Sequence, residues 1–449
     1  MGRLFGTDGV RGIANAELTP ELAFNLGKAG AFVLGKSKER PVVVIAKDTR
    51  VSGDMLEDAI SAGILAMGGD VIKAGVLPTP AVAYLVRHLS ADAGVVISAS
   101  HNPFEYNGIK FFNGEGFKLD DDIEDEIEDI ILRNIDVNSH ITGDKLGRLI
   151  QREENALHLY SQFLQSTIDT DLAGMKVVID CANGASYKVA EKVLSALGAQ
   201  GVAIHNKPDG ININAGCGST HPEDLQKEVL AQKADLGLAF DGDADRLIAV
   251  DQNGALVDGD RLIYICARML LEDGALPDNR VTATVMSNLG FLKGMDDLGC
   301  VLETTQVGDR YVLESMLKTG CVIGGEQSGH IIFLNHTTTG DGILSALQVL
   351  RAVKRSGKSL SDLAAQITIY PQVLVNATIK NENKKKYAGD PEIKAKIQEL
   401  EQAMAGDGRV LIRPSGTEPL VRVMIEGKDL SQIKSLAEDM AALIQKKFS

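Results

Sequence analysis

Three aspartates at alternate positions follow a short apolar segment in the middle of the chain. The run Leu236–Phe240 predicts a buried strand, and Asp241, Asp243 and Asp245 come directly after it. Since alternate residues of an extended segment point the same way, this spacing can bring three carboxylates together. At ~5 Å and an effective dielectric constant of ~20, each pair of negative charges repels by about 3 kcal/mol, so the cluster requires a cation or a proton. Carboxylate oxygens favour Mg²⁺, Mn²⁺ or Ca²⁺, and a solvated acidic turn is the alternative interpretation.

A serine occupies a similar place after another predicted strand. Ser100 and His101 follow the apolar run Gly94–Ile97, and Lys110 comes soon after them. A serine at the mouth of a sheet can act as a nucleophile beside a base, although consecutive side chains usually diverge. The chain has no Gly-x-Ser-x-Gly elbow. From the residues alone, a polar turn before Pro103 is the favoured interpretation.

Three further polar segments have the composition of binding loops. The segment 413–419 and the nearby Arg422 provide two hydroxyls, two guanidinium groups and a glycine, which suits a phosphate group. Glu326 and Ser328 stand between glycines and could hydrogen-bond sugar hydroxyls. Arg11, in a glycine-rich segment near the start of the chain, could contact a phosphate. For each segment, an ordinary turn or surface loop is the competing interpretation.

The elements that precede these loops must position them. Short runs rich in β-branched residues alternate with helical patterns, which predicts α/β layers with mixed, largely parallel sheets. The runs that predict strands are 42–46, 94–97, 176–179, 236–240, 281–285 and 322–323. In open α/β sheets, ligands gather at the carboxyl ends of the strands, so we expect the chemistry in the polar loops that follow these runs.

The chain length predicts about three domains, or four if one of them is small, and the succession of strand, loop and helix divides the chain into four. Three related α/β domains carry, in turn, the Ser100 loop, the aspartate loop and the Glu326 loop. A smaller α+β domain then carries the segment 413–419. We place the four domains at 1–150, 151–254, 255–370 and 371–449.

Composition narrows the function classes. Hydrophobic residues make up 44% and charged residues 24% of the 449 residues, which excludes a wholly disordered chain. The net charge of −15 and the absence of tryptophan argue against a nucleic-acid-binding surface. The five scattered cysteines indicate neither a disulfide framework nor a zinc site. With no secretory signal and no long apolar run, we expect a cytoplasmic protein that does not enter a membrane.

Five segments, taken together and in this order, resemble the α-D-phosphohexomutase family. They are 5–12, 97–112, 241–246, 325–330 and 413–419, and the resemblance extends over essentially the whole chain. It is closest to the bacterial branch that acts on glucosamine phosphates. The resemblance implies four domains around one central cleft. It also implies interconversion of glucosamine 6-phosphate and glucosamine 1-phosphate through a phosphoserine and a bound 1,6-bisphosphate, a step towards UDP-N-acetylglucosamine and the cell wall.

Three alternatives stay open at this point. The first is the same reaction on mannose or glucose phosphates. The second is a phosphatase that uses Asp241 as its nucleophile, although that class prefers Thr or Val where this chain has Asp245. The third is a non-catalytic sugar-phosphate sensor, which needs no phosphorylatable serine.

The resemblance also implies a role for each candidate residue. Ser100 is the phosphoserine and binds one Mg²⁺ per chain together with Asp241, Asp243 and Asp245. Residues expected around the transferring phosphoryl group are Arg11, His101, Lys110 and Arg246, with proton transfer open between His101 and Lys110. Sugar contacts are expected from Glu326, Ser328 and His330, and contacts to the non-reacting phosphate from Arg413, Ser415, Gly416, Thr417 and Arg422. A small phosphosugar substrate, a bisphosphate activator and a homodimer are also implied.

Overall fold

Four sheets organise the part of the chain that the structure describes. The structure is a computed structural model, and it describes residues 4–6, 8–35, 38–137, 141–384, 386–404, 406–415 and 418–449. The chain divides into a larger unit, formed by residues up to 286 together with 300–365, and a smaller unit, formed by 287–299 together with 366–449.

The first sheet leads into the Ser100 loop. Its strands are β1 (Val10–Ile13), β2 (Val42–Lys47), β3 (Asp70–Val76), β4 (Ala93–Ile97), β5 (Tyr106–Asn113) and β6 (Leu149–Gln151), in the order β1-β5-β4-β2-β3-β6. Strand β2 is parallel to β3 and β4, and β3 is parallel to β6, whereas β5 is antiparallel to β1 and β4. The accompanying helices are α1 (Pro20–Leu34), α2 (Gly53–Ala66), α3 (Thr79–His88) and α4 (Asp121–Leu132).

The second sheet leads into the aspartate loop. Its strands are β7 (Lys176–Asp180), β8 (Gln200–Ile204), β9 (Leu236–Phe240), β10 (Leu247–Asp251) and β11 (Leu256–Val257), in the order β11-β10-β9-β7-β8. Strand β7 is parallel to β8 and β9, and β10 is antiparallel to β9 and β11. Its helices are α5 (Glu153–Ser166), α6 (Val189–Ala196) and α7 (Glu223–Gln232).

The third sheet leads into the Glu326 loop. The next elements along the chain are α8 (Gly259–Glu272), β12 (Arg280–Thr284), α9 (Leu289–Asp297), β13 (Val301–Thr305), α10 (Asp309–Thr319), β14 (Ile323–Gly325), β15 (Ile331–Phe333), α11 (Gly342–Ser356) and α12 (Leu360–Ala364). The strand order is β13-β12-β14-β15, with β15 antiparallel to β14 and the other pairs parallel. Helix α9 belongs to the smaller unit.

The smaller unit contains the fourth sheet. Strands β16 (Gln372–Thr378), β17 (Gly408–Pro414) and β18 (Leu420–Gly427) are antiparallel in the order β16-β18-β17, and α13 (Pro391–Ala403) and α14 (Leu430–Phe448) pack with them. Alternate residues of β18, including Val421, Val423 and Ile425, are buried in a common core with Ile433 of α14. This core makes the smaller unit a separate α+β layer.

Local sequence explains where several elements begin. The Thr19 hydroxyl accepts a hydrogen bond from the backbone N–H of Leu22 and so caps α1, which has Pro20 in its first turn. All five residues of β9 are buried, as its uninterrupted apolar run predicts. The six predicted strands lie within two residues of their expected bounds.

The predicted fold class of α/β domains with mixed, largely parallel sheets and a smaller C-terminal α+β domain is confirmed. Among the described residues, no helix is both long and apolar enough to cross a membrane.

Candidate active site

The Ser100 hydroxyl meets the aspartate loop. Ser100 follows β4 in a left-handed turn with a φ of 50°, and it is only 2% exposed. Its Oγ donates a hydrogen bond to Asp241 Oδ2 at 2.5 Å, a contact between residues 141 positions apart. The His101 Nδ1 atom lies 3.4 Å from the same hydroxyl. The structure therefore brings together the serine and the acidic cluster that the sequence identified separately.

A buried arginine holds the backbone of the Ser100 loop. The Arg50 guanidinium is fully buried and pairs with Asp48 at 2.8 Å. It donates to the carbonyls of Ser100 and Asn102 at 2.9 Å each, and also to those of Pro103 and Tyr106, where the loop ends and β5 begins. The Asn214 amide also donates to the Ser100 and Asn102 carbonyls, at 2.9 and 3.1 Å. Each of these charge-assisted or amide donors restricts the loop, so the position of the serine hydroxyl is strongly determined.

The aspartate loop approaches the serine loop so closely that only glycine fits between them. A Cβ atom on Gly242 would lie 2.5 Å from the Ser100 carbonyl oxygen and 2.9 Å from the Asn214 amide nitrogen. These distances are shorter than ordinary van der Waals contact. The glycine between the first two aspartates therefore allows the two loops to touch.

The three aspartates form a buried group of potential metal ligands. One carboxylate oxygen of each of Asp241, Asp243 and Asp245 lies within 4.8 Å of the others. Oδ1 of Asp243 and Oδ1 of Asp245 are buried without a hydrogen-bond partner in the described part of the chain. Burial and the neighbouring carboxylates hold the pKa of Asp241 well above its usual range. Clustered hard oxygen atoms with unused acceptor capacity fit a divalent cation such as Mg²⁺.

Cationic side chains surround this acidic cluster. Lys110 Nζ donates to Asp243 Oδ2 at 2.8 Å and lies 2.9 Å from Asp8 Oδ2. Burial lowers the pKa of Lys110, but the charges of Asp243 and Asp8 outweigh it and raise that pKa, so the ammonium stays protonated. Arg11 pairs with Asp8. The Arg246 Nε atom lies 3.8 Å from Asp245 Oδ1, and its backbone N–H donates to Asp241 Oδ1 at 3.3 Å. These charges suit an anion that carries several negative charges.

The Glu326 loop docks beside the aspartate loop. His330 is buried, and its Nδ1 lies 3.5 Å from Asp245 Oδ2. Glu326 Oε1 accepts a hydrogen bond from the Gly308 backbone N–H at 3.1 Å, and Ser328 is exposed. The Leu247 N–H donates to the carbonyl of Gly329 at 3.0 Å. Glu326, Ser328 and His330 are the three predicted sugar contacts. Of these, His330 is the one that contacts an aspartate of the acidic cluster.

The predicted phosphate loop lies in the smaller unit. Arg413 of β17 and Arg422 of β18 are directly opposite each other in the strand register. Burial and the Arg422 charge lower the pKa of Arg413. Ser415 is buried and accepts a hydrogen bond from the Glu418 N–H at 3.1 Å. Like charges directly opposite each other destabilise a sheet, and the Glu418 carboxylate, 3.2 Å from the Arg422 guanidinium, offsets part of this repulsion. The two guanidinium groups together suit a further anion such as a phosphate. The predicted contacts Gly416 and Thr417 lie outside the described residues.

Several residues of the site were not found from the sequence. Asp48 and Arg50 stand in a polar loop at the carboxyl end of β2, and that position was the only signal for them. Asp8, Lys118 and Asp309 form charge contacts next to Lys110 and His330, and no spacing pattern indicated them.

A second group of potential metal ligands lies in the second α/β layer. Ligand atoms of Asp180, His205 and Cys217 lie within 4.8 Å of one another. The two Asp180 oxygens already accept hydrogen bonds from the backbone N–H groups of Ala182 and Gly218, at 2.9 Å each. We therefore assign Asp180 to holding these loops in place.

Family comparisons cover nearly the whole chain. Models described as phosphoglucomutase/phosphomannomutase alpha/beta/alpha domain I, domain II, domain III and C-terminal domain match residues 2–137, 158–254, 258–370 and 374–443. A phosphoglucosamine mutase from Alkaliphilus metalliredigens (strain QYMF) is 56% identical over 447 residues, with 100% of both chains covered. One from Thermoanaerobacter sp. (strain X514) is 58% identical over 451 residues, again with 100% of both chains covered.

Solved structures with the same fold have more distant sequences. A phosphoglucomutase/phosphomannomutase family protein from Burkholderia thailandensis has a TM-score of 0.84 at 24% identity, covering 100% of this chain and 98% of that one. The N-acetylphosphoglucosamine mutase of Aspergillus fumigatus, solved in complex with GlcNAc-6P and magnesium, has a TM-score of 0.71 at 18% identity, covering 99% and 96%.

Proposed function

The chain belongs to the phosphoglucomutase/phosphomannomutase family, and from that premise we propose that it interconverts glucosamine 6-phosphate and glucosamine 1-phosphate. Relatives that are 56% and 58% identical over the full chain carry the name phosphoglucosamine mutase, which supports this choice of sugar. The observation that carries the proposal is the hydrogen bond of the Ser100 hydroxyl to Asp241 within a buried acidic cluster.

In this proposal Ser100 is phosphorylated and transfers its phosphoryl group. A phosphoserine carries a charge of about −1.5 to −2 at neutral pH, which the adjacent aspartates would repel. Asp241, Asp243 and Asp245 would hold one Mg²⁺ per chain, and their unpartnered buried oxygens support this assignment. Bound there, Mg²⁺ would polarise the phosphoryl group and offset the negative charge.

The reaction then proceeds by two phosphoryl transfers. In the first, the bond between Ser100 Oγ and phosphorus breaks and a bond from phosphorus to sugar O1 forms, which gives glucosamine 1,6-bisphosphate. The O1 proton passes to a base, for which His101 is the candidate: burial lowers the pKa of its imidazole, whereas the Lys110 ammonium already holds its proton. The bisphosphate then reorients in the site. In the second transfer, the bond between O6 and phosphorus breaks and a bond from phosphorus to Ser100 Oγ forms. O6 regains a proton, and glucosamine 1-phosphate is released.

Charge and positioning supply most of the catalysis in phosphoryl transfer. Arg11, Lys110 and Arg246 would neutralise the transferring group, as the contacts of their side chains with carboxylates of the site suggest. The assigned sugar contacts are Glu326, Ser328 and His330. The assigned contacts to the non-reacting phosphate are Arg413, Ser415, Gly416, Thr417 and Arg422. Because the intermediate turns round, this phosphate site must accept either end of the sugar.

The proposed domain roles follow from these assignments. Residues 1–150 provide the phosphoserine loop, 151–254 the metal loop, 255–370 the sugar loop and 371–449 the phosphate loop. From the family resemblance we also propose a bisphosphate activator and a cytoplasmic homodimer.

The test is a turnover assay of the purified protein with Mg²⁺ and glucosamine 1,6-bisphosphate. We expect formation of glucosamine 1-phosphate from glucosamine 6-phosphate, loss of activity on removal of Mg²⁺, and a higher kcat/KM than with glucose or mannose 6-phosphate. Ser100→Ala should abolish turnover. Ser90→Ala is the matched control, because Ser90 is an exposed serine with a similar φ of 52°.

Two results would count against the proposal. If the protein forms no glucosamine 1-phosphate, or if Ser100→Ala is as active as the wild type, the phosphoserine mechanism is wrong. If kcat/KM is higher with mannose or glucose 6-phosphate, the sister activity replaces the proposed one.

A further inference from the structure

The Lys110 ammonium and the His330 ring contact the aspartate cluster, and each has an acidic side chain on its far side. Lys110 Nζ donates to the cluster at 2.8 Å and lies 2.9 Å from Asp8 Oδ2. His330 Nδ1 lies 3.5 Å from the cluster, and its Nε2 accepts a hydrogen bond from the Gly340 N–H at 3.1 Å and lies 3.9 Å from Asp309 Oδ2. The cluster is therefore flanked on both sides by a side-chain nitrogen, and behind each nitrogen lies an acid.

Lys118 joins these two acids. Its Nζ lies 2.6 Å from Asp8 Oδ1 and 2.5 Å from Asp309 Oδ2. Lys118 follows β5 of the first sheet, whereas Asp309 is the first residue of α10 in the third α/β layer. All of these residues belong to the larger unit. One ammonium thus connects the two segments that support Lys110 and His330.

The charges explain why a cation is needed at this position. Both carboxylate oxygens lie within 2.6 Å of one nitrogen, so they are close enough to repel each other strongly without it. Burial lowers the pKa of Lys118, but the charges of Asp8 and Asp309 outweigh burial and raise it, so Lys118 stays protonated. Without this ammonium, Asp8 would attract Lys110 more strongly and draw it away from the cluster, and Asp309 would lose the contact that holds it beside His330.

We propose that Lys118 is a positioning residue for phosphoryl transfer: by binding Asp8 and Asp309 it holds Lys110 and His330 against the aspartate cluster from both sides. This inference rests on the proposed function. Lys118 acts through its neighbours and needs no contact with the reacting atoms. Its loss should therefore lower kcat more than it raises KM.

The experiment compares Lys118→Met and Lys118→Arg with the wild type in the glucosamine 6-phosphate assay. A displacement of about 1 Å in a catalytic group costs about 100-fold in rate, so we expect a loss of that order in kcat for Lys118→Met. KM should change by less than about threefold. Lys118→Arg keeps the charge and should recover most of the loss. Asp309→Asn should cost much less in the Lys118→Met background than in the wild type, because coupled residues are not additive.

The control variant removes a different contact between the first and third α/β layers. Arg87 of α3 donates to the His336 carbonyl at 3.2 Å, away from the acidic cluster, so Arg87→Met should leave kcat close to the wild-type value. Intact mass should show similar phosphorylation of Ser100 in every variant.

Each contrary outcome has its own meaning. Wild-type kcat in Lys118→Met, an equal loss in Arg87→Met, or additive effects of Lys118→Met and Asp309→Asn would overturn the positioning role while leaving the proposed function intact. A wild-type protein without mutase activity would refute the proposed function, and this inference with it.

Discussion

Replacing Gly242 by alanine should impair catalysis by separating the serine loop from the aspartate loop. The added Cβ would lie 2.5 Å from the Ser100 carbonyl oxygen, where ordinary contact begins at 3.4 Å, so a gap of 0.9 Å must open. The other two nearest atoms, on Asn214 and Ile213, are each 2.9 Å away, so the methyl group has little room to move aside. A misplacement of about 1 Å costs about 100-fold in rate, which corresponds to about 2.7 kcal/mol in the activation barrier.

The assay is steady-state turnover of glucosamine 6-phosphate, with a thermal melt of the same samples. We expect kcat to fall by about two orders of magnitude at temperatures where the variant is still folded. Overpacking also costs about 1–3 kcal/mol of stability, so the melting temperature should fall as well. Gly389→Ala is the control, because a Cβ there has nothing within 4 Å and the backbone does not need a positive φ. Wild-type kcat in a folded Gly242→Ala variant would refute the argument that the distance between the two loops limits the rate.

Three further predictions concern residues that support the site. Arg50→Met leaves the Asp48 carboxylate buried without its partner and should lower the free energy of unfolding by about 3–5 kcal/mol, measured by urea denaturation. Burial raises the folded-state pKa of Asp341 from 3.8 to about 6, so the folded state holds this proton more tightly than the unfolded state. Wild-type stability should therefore fall by about 2.4 kcal/mol between pH 4 and pH 7 relative to Asp341→Asn, measured as the difference in melting temperature. Arg413→Met should raise KM for glucosamine 6-phosphate by about 10- to 100-fold, from the loss of a charge-assisted hydrogen bond. It should leave the melting temperature unchanged or higher, because the repulsion with Arg422 is removed.

Each of these predictions has a contrary result. A wild-type denaturation midpoint in Arg50→Met would show that the buried ion pair adds no stability. Parallel pH profiles of the wild type and Asp341→Asn would show that this carboxyl titrates alike in the folded and unfolded states. A lower melting temperature with unchanged KM in Arg413→Met would assign that side chain to the fold instead of to phosphate binding.

The Ser100 segment shows what a local sequence pattern cannot decide. The Ser100 segment favoured a polar turn when taken alone, and only the order of five separate segments pointed to the mutase family. In the structure the segment is a turn and also part of the candidate active site: Ser100 has a left-handed backbone conformation, and its hydroxyl is buried against Asp241. A local pattern cannot distinguish these possibilities, because the distinguishing contact comes from a residue 141 positions away.

The sequence by itself determined the local features of this protein. The apolar run before Asp241 predicted β9 with its observed bounds, and the alternate spacing of the aspartates predicted a carboxylate cluster. Both depend on the geometry of a few consecutive residues, and strand periodicity is a property of the local backbone.

Only the tertiary structure decided which distant side chains meet. The Arg50 contacts to the serine loop and the Lys118 bridge between Asp8 and Asp309 join segments from different parts of the chain. Nothing in the neighbouring residues of Lys118 distinguishes it from a solvated surface lysine. Its partners depend on how the first and third sheets pack together, and that packing is set by the burial of many apolar residues at once.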